Sequence, residues 1–143
     1  MAITQLSVFL ENSPGRLAEA VRIISDAGVN IRAMSLADTK DFGILRLIVS
    51  DADKAKETLS SNYIVMETKV IAVKMDDQAG ALKNILQALE KAQINVEYMY
   101  AFTGAEALSA YVVLRVDDLE NAETVLAGSG MQTLTDDRLR AIL

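Results

Sequence analysis

The sequence predicts an α+β protein made of two βαββαβ repeats, and three observations lead there. Apolar residues alternate over strand-length runs and recur at helical spacing between them, in the order strand, helix, strand, strand, helix, strand. That order begins again near Thr68, with matching residues at a constant separation. A chain of 143 residues, 51% of them hydrophobic, also carries ample apolar surface for a buried core.

The first strand shows in Leu6, Val8 and Leu10, which alternate with Gln5, Ser7 and Phe9. The stretch Asn12-Ser13-Pro14-Gly15-Arg16-Leu17 follows and holds the one proline of the chain. Proline suits the first helical position, where its missing N–H is no loss, and Asn12 or Ser13 is placed to cap the helix. Leu17, Ala20, Val21, Ile24 and Ala27 give that helix an apolar face, and Gly28 gives it a C-terminal stop. Val29, Ile31 and Ala33 open a second alternating run. Asp38-Thr39-Lys40-Asp41 with Gly43 supplies turn chemistry before a third run, Ile44 to Val49, so these two strands are expected to form a hairpin. Ser50, Asp51 or Asp53 caps a short helix with Ala52, Ala55 and Leu59 on one face, and Tyr63 to Met66 is the fourth strand.

From there the chain repeats itself. Val8 matches Val73, Asn12 matches Asp77, Gly15 matches Gly80, Leu17 matches Leu82, Asn30 matches Asn95 and Met34 matches Met99, each pair 65 residues apart. Beyond the hairpin the separation becomes 67, as between Leu47 and Leu114, so a two-residue insertion is expected between Phe102 and Ala110. Right-handed crossovers put both helices on one face of a four-stranded antiparallel sheet with strand order 4-1-3-2, the ferredoxin-like arrangement. The expected domains are residues 1–67 and 68–143. Tyr63 to Met75 holds almost no turn residues, which lets the fourth strand run on into the fifth. Asp136 to Leu143 reads equally as a helical turn or a strand extension.

Composition removes most chemistry. There is no histidine and no cysteine, so histidine-based triads, thiol nucleophiles and the usual zinc, haem and iron–sulfur ligand sets are excluded. No catalytic residue, metal or cofactor is expected. A net charge of −6 works against binding a phosphate backbone or an anionic membrane. The longest apolar runs are far too short to span a bilayer. The first residues lack the segments of a signal peptide, which leaves the cytoplasm as the expected location. What remains is the proline turn. The first-turn amides of Gly15, Arg16 and Leu17 have no intrahelical partner, and the helix dipole there favours an anion such as a carboxylate.

Glu11-Asn12-Ser13-Pro14-Gly15-Arg16-Leu17 after the first strand, with Gly28-Val29-Asn30-Ile31 opening the second, resembles the ACT domain, a small-molecule regulatory module of amino-acid metabolism. The second repeat keeps less of both motifs, as Asp77-Gln78-Ala79-Gly80-Ala81-Leu82 and Gln93-Ile94-Asn95-Val96, losing the proline and one glycine. The resemblance covers nearly the whole chain and is to a free-standing tandem ACT protein. It implies a non-catalytic protein, not an enzyme, that binds a free amino acid where the turn of one module faces the second strand of its neighbour. By that likeness Asn12 and Asn30 meet the ligand's charged groups, with Leu10, Gly15, Arg16, Leu17 and Ile31 beside them and Asp77 and Asn95 at the matching positions. An asparagine both donates and accepts, so it can meet a carboxylate or an ammonium. Met34, Leu36 and Met99 are candidates for the pocket wall. The signal is implied to pass to a separate enzyme or transporter, and the chain is expected to be a homo-oligomer.

Three other readings compete. Tyr98, Tyr100 and Phe102 alternate onto one face and could stack RNA bases, but no basic cluster lies beside them and the acidic charge opposes it. Asp76-Asp77, Asp117-Asp118 and Asp136-Asp137 offer carboxylates to magnesium, yet adjacent aspartates usually point apart or serve as helix caps. The third is a ligand-free assembly subunit that binds only a protein partner.

Overall fold

The computed structural model describes residues 2–38, 41–103 and 109–138. The chain divides into two compact units, one of Thr4–Thr68 and one of Met1–Ile3 with Lys69–Leu143.

The first unit contains β1 (Ile3–Glu11, from Thr4 on), α1 (Arg16–Asp26), β2 (Ile31–Asp38), β3 (Phe42–Val49), α2 (Ala52–Leu59) and the opening of β4 (Ile64–Asp76). Its strand order is β2-β3-β1-β4, the expected 4-1-3-2. Leu6 pairs with Leu47 and Val8 with Leu45, and Leu6, Val8, Leu10, Leu45 and Leu47 pack with Ala20 and Ile24 of α1 and Ala55 and Leu59 of α2. Ile23, rather than the expected Val21, joins Leu17 and Ala27 at the edge of that core. Asp51 caps α2, its side chain accepting from the Lys54 N–H at 3.1 Å.

Two details depart from the sequence reading. The first is the start of α1. Neither Asn12 nor Ser13 caps it, and Pro14 is not its first residue; the N-cap is Gly15, with φ 85 and ψ −11 and no side-chain bond. Ser13 O accepts from the Arg16 N–H at 3.4 Å, so Ser13-Pro14-Gly15-Arg16 is a type II turn. Such a turn favours proline at its second position and requires a positive φ at its third. The second is β2, where Ile31 pairs with Val49 but Ala33 with Ile48. The extra residue, Arg32, forms a bulge. Ile31 therefore packs on the helix-side core while Ala33 is buried on the other face, and the even alternation from Val29 through Ala33 breaks.

The second unit takes β4 from Lys69, then α3 (Ala81–Lys91), β5 (Val96–Thr103), β6 (Ser109–Val116) and α4 (Leu119–Gly128). Its strands run β4-β6-β5, and Thr133 bridges Val73 in the place of a fourth strand. Ile71, Val73, Val112 and Leu114 pack with Ile85 and Leu89 of α3 and Ala122 and Leu126 of α4. Asp118 caps α4 through the Asn121 N–H at 3.2 Å, and Gly80 at φ 90 heads α3 as Gly15 heads α1. The bulge recurs between Val96 and Tyr98. Phe102 stacks on Tyr111, with ring centroids 5.3 Å apart. β4 runs unbroken for 13 residues, so the fourth strand does continue into the fifth. Asp136, Asp137 and Arg138 turn helically. The expected two-residue insertion falls on residues 104–108, outside the described residues.

Candidate functional site

In the first unit the proline turn is anchored from both sides. The Asn12 N–H donates to Asp41 O at 3.3 Å and the Ser13 N–H to Glu11 O at 2.9 Å. Arg16 ties the turn to its neighbours, with Nη2 3.4 Å from Glu11 Oε2 and Nη1 3.9 Å from Glu19 Oε2. Tyr63, at the head of β4, donates its hydroxyl to Arg16 O at 3.4 Å. The Glu11 carboxylate, with help from Tyr63, holds the Arg16 guanidinium above its ordinary pKa. Burial, with help from Glu19, pushes the Tyr63 phenol up. The first bond of the helical pattern is Glu19 N–H to Gly15 O at 2.9 Å, so the Leu17 and Ala18 amides lie before it and face outward from the helix end.

Beside this turn lies a small cleft of about 80 Å³, lined by Leu10, Asn12, Ser13, Leu17, Leu36 and Asp38 among others. The structure thus brings together Leu10, Asn12 and Leu17, and adds Leu36 and Asp38. Gly15 and Arg16 stand in the same turn but do not line the cleft. Asp38, which the motifs did not single out, arrives because Asp38, Gly43 and Leu10 are side by side across β2, β3 and β1. The hairpin expected from sequence carries that proximity, once its register is known.

Asn30 and Ile31 lie elsewhere. Asn30 is exposed at the start of β2, its N–H donating to Ser50 Oγ at 2.9 Å and its carbonyl accepting from the Ser50 N–H at 2.9 Å. Gly43 marks the Asn12 end of β3 and Val49 the Asn30 end, a span of about 20 Å at the rise of a strand. Within the unit, the two asparagines are therefore at opposite ends of the sheet. The second unit repeats this. Asp77 follows β4 directly and is exposed, while the Asn95 N–H donates to Asp117 Oδ1 at 3.0 Å at the far end. Met34 and Leu36, on the face of Leu47 and Leu45, are 44% and 51% exposed because β2 is an edge strand. Met99 instead packs against the core of its unit.

Among the described residues no group of three or more acidic side chains is placed to hold a metal ion, and no helix is long and apolar enough to cross a membrane.

Comparison with known proteins agrees with this architecture. The crystal structure of protein BT0572 from Bacteroides thetaiotaomicron is similar over 99% of this chain and 98% of that one, at 36% identity and a TM-score of 0.92. The ligand-free regulatory subunit of aspartate kinase from Thermus thermophilus shares the fold at 13% identity and a TM-score of 0.62, over 88% of this chain and 91% of that one. The corresponding subunit from Thermus flavus does so at 14% identity and a TM-score of 0.64, over 89% and 90%. No curated protein matched the chain. The family model described as an ACT domain pair matches residues 1–143, and the chain belongs to that family.

Proposed function

We propose that this chain is a non-catalytic sensor that binds a free amino acid between paired ACT modules of two copies and acts on a separate enzyme or transporter in the cytoplasm. One observation carries the reading. Asn12 and Asn30 sit at opposite ends of one sheet, so a small ligand that meets both is held by two modules, the turn of one against the second strand of another. The turn brings outward first-turn amides for a carboxylate, and the asparagine amide meets either charged group. Domains 1–67 and 68–143 serve as the two modules of each copy. Neighbours of the same fold are regulatory subunits of aspartate kinase, which accords with a regulatory partner in amino-acid metabolism.

A thermal-shift screen of the twenty L-amino acids tests it. A ligand at about 100 times its dissociation constant adds about 2.7 kcal/mol of stability, and a rise in Tm with one amino acid is expected. No rise with any of them would remove the sensor reading. The exposed Met34 and Leu36 favour a second reading, a ligand-free assembly subunit with a protein partner. That reading requires a flat thermal-shift screen.

A further inference from the structure

The strands of the first unit run β2-β3-β1-β4, so β2 and the head of β4 are its edges. Among the described pairings, β6 meets β4 at Ile71 to Asp76, beyond that head. An open edge offers its N–H and C=O groups to any other strand, and proteins blunt it with charges, proline or bulges. β2 carries the bulge at Arg32. The head of β4, Ile64-Val65-Met66-Glu67-Thr68, has no proline and one charge, and that charge is turned to Lys56, with Glu67 Oε1 3.9 Å from its Nζ. Val65 packs against the core, so alternation puts Ile64 and Met66 on the face away from the helices. There they are 71% and 55% exposed, the two most exposed large apolar side chains among the described residues.

We propose that the head of β4 is a self-association edge, to which β4 of a second copy adds as an antiparallel strand across a two-fold axis at Val65. In this register the segment is self-complementary. Ile64 stands opposite Met66 of the second copy, Val65 opposite its Val65 and Tyr63 opposite its Glu67, so apolar meets apolar and no like charges face each other. An axis at Ile64 would set Met66 against Asn62, one at Met66 would set Ile64 against Thr68, and one at Glu67 would set two carboxylates face to face. Val65, half-buried at the margin of its core, is covered by its counterpart. Such an isologous contact closes at two chains. It goes beyond the sensor reading, which joins a turn to a second strand, and it needs no amino acid.

The chain has no cysteine, which makes introduced thiols a specific test. Residues directly opposite in an antiparallel pair have Cα atoms about 4.5–5.5 Å apart, inside the disulfide range of about 4.4–6.8 Å, whereas diagonal neighbours at about 7–8 Å lie outside it. Under mild oxidation, an equal mixture of the Ile64→Cys and Met66→Cys chains should therefore give about ten-fold more disulfide-linked dimer than either chain alone. In sedimentation the parent chain should dimerise with rising concentration, and Met66→Lys, at an exposed position outside the core, should weaken that association about ten-fold or more. Equal cross-linking in the mixture and in the separate chains, a parent chain that stays monomeric, or a Met66→Lys chain that dimerises as the parent does would each overturn the proposal.

Discussion

The two turns of this chain share a backbone and differ in chemistry. Gly15 and Gly80 take the same left-handed conformation, φ 85 and φ 90, each at the third position of a type II turn and each heading an 11-residue helix. Around that common frame the first unit has Asn12, Pro14 and Arg16, and the second has Asp77, Ala79 and Ala81. The path of the chain is thus set by one glycine per turn, which leaves the side chains beside it free to diverge. Asn12 can donate to a carboxylate; Asp77, ionised, can only accept and repels one. On the proposed sensor reading, the first turn takes a ligand's carboxylate and the second an ammonium or a cationic side chain.

Substitutions can break or sharpen this contrast. The largest effect is expected from Asn12→Ala, which should weaken amino-acid binding at the first turn by about ten- to a hundred-fold, the worth of one hydrogen bond to a charged group. Asp77→Asn should leave that site intact and alter binding only at its own turn. Titration calorimetry of both variants decides: unchanged affinity in Asn12→Ala, or equal losses in the two, would end the distinction. Next come the helix ends. Gly28 follows α1 at φ 75, and Gln93 takes the same place after α3 at φ 57. A side chain in that region costs about 1–2 kcal/mol. No atom lies within 4 Å of a Cβ built on Gly28, so Gly28→Ala should lose about that much through backbone strain alone. Gln93→Gly should gain somewhat less, because glycine also adds freedom to the unfolded chain. Urea unfolding of the two variants measures both, and changes of the same sign would show that the two ends are not equivalent.

The caps come third. Asp51→Ala and Asp118→Ala each remove a side-chain acceptor from a helix start, and each should cost about 1 kcal/mol in the same unfolding experiment. Unequal costs would place a further difference between the units. The smallest effect is at Tyr63. Its bond to Arg16 O is long, 3.4 Å, so Tyr63→Phe should cost about 0.5 kcal/mol near neutral pH. Because burial raises its pKa, the folded state favours the neutral phenol. That contribution is whole below the unfolded value of about 10 and is lost as pH rises through the folded one. Tyr63→Phe should therefore flatten the decline in Tm on the alkaline side. A decline identical to that of the parent chain would show that the phenol has no such role.

The repeat, the order of elements and most of the first core were legible because each depends on spacing along the chain. Leu6, Val8 and Leu10 announce a strand and Ala20 and Ile24 a helix by period alone, and the aspartate caps are local. The bulge at Arg32 was not legible, since an extra residue in a strand leaves no mark in composition and only the pairing with β3 exposes it. The type II turn was half legible. Pro14-Gly15 satisfies both a helix start and that turn, and the bond from Arg16 to Ser13 separates them. At the candidate site, Leu10 follows from its place in the first strand and Asn12 from its place just after it, whereas Asp38 enters through the hairpin register.

The unbroken strand β4, Ile64–Asp76, places a rule on how this sequence can change. Its pleat works like a reading frame. Side chains alternate faces residue by residue, so inserting or deleting one residue at Ala72 would put Ile71 and Val73 on opposite faces, and only one of them could still pack on Ile85 and Leu89. Two residues restore the frame and one does not. Even-numbered length changes within this strand therefore keep its faces, and the turns that join it to α2 and α3 lie outside that frame.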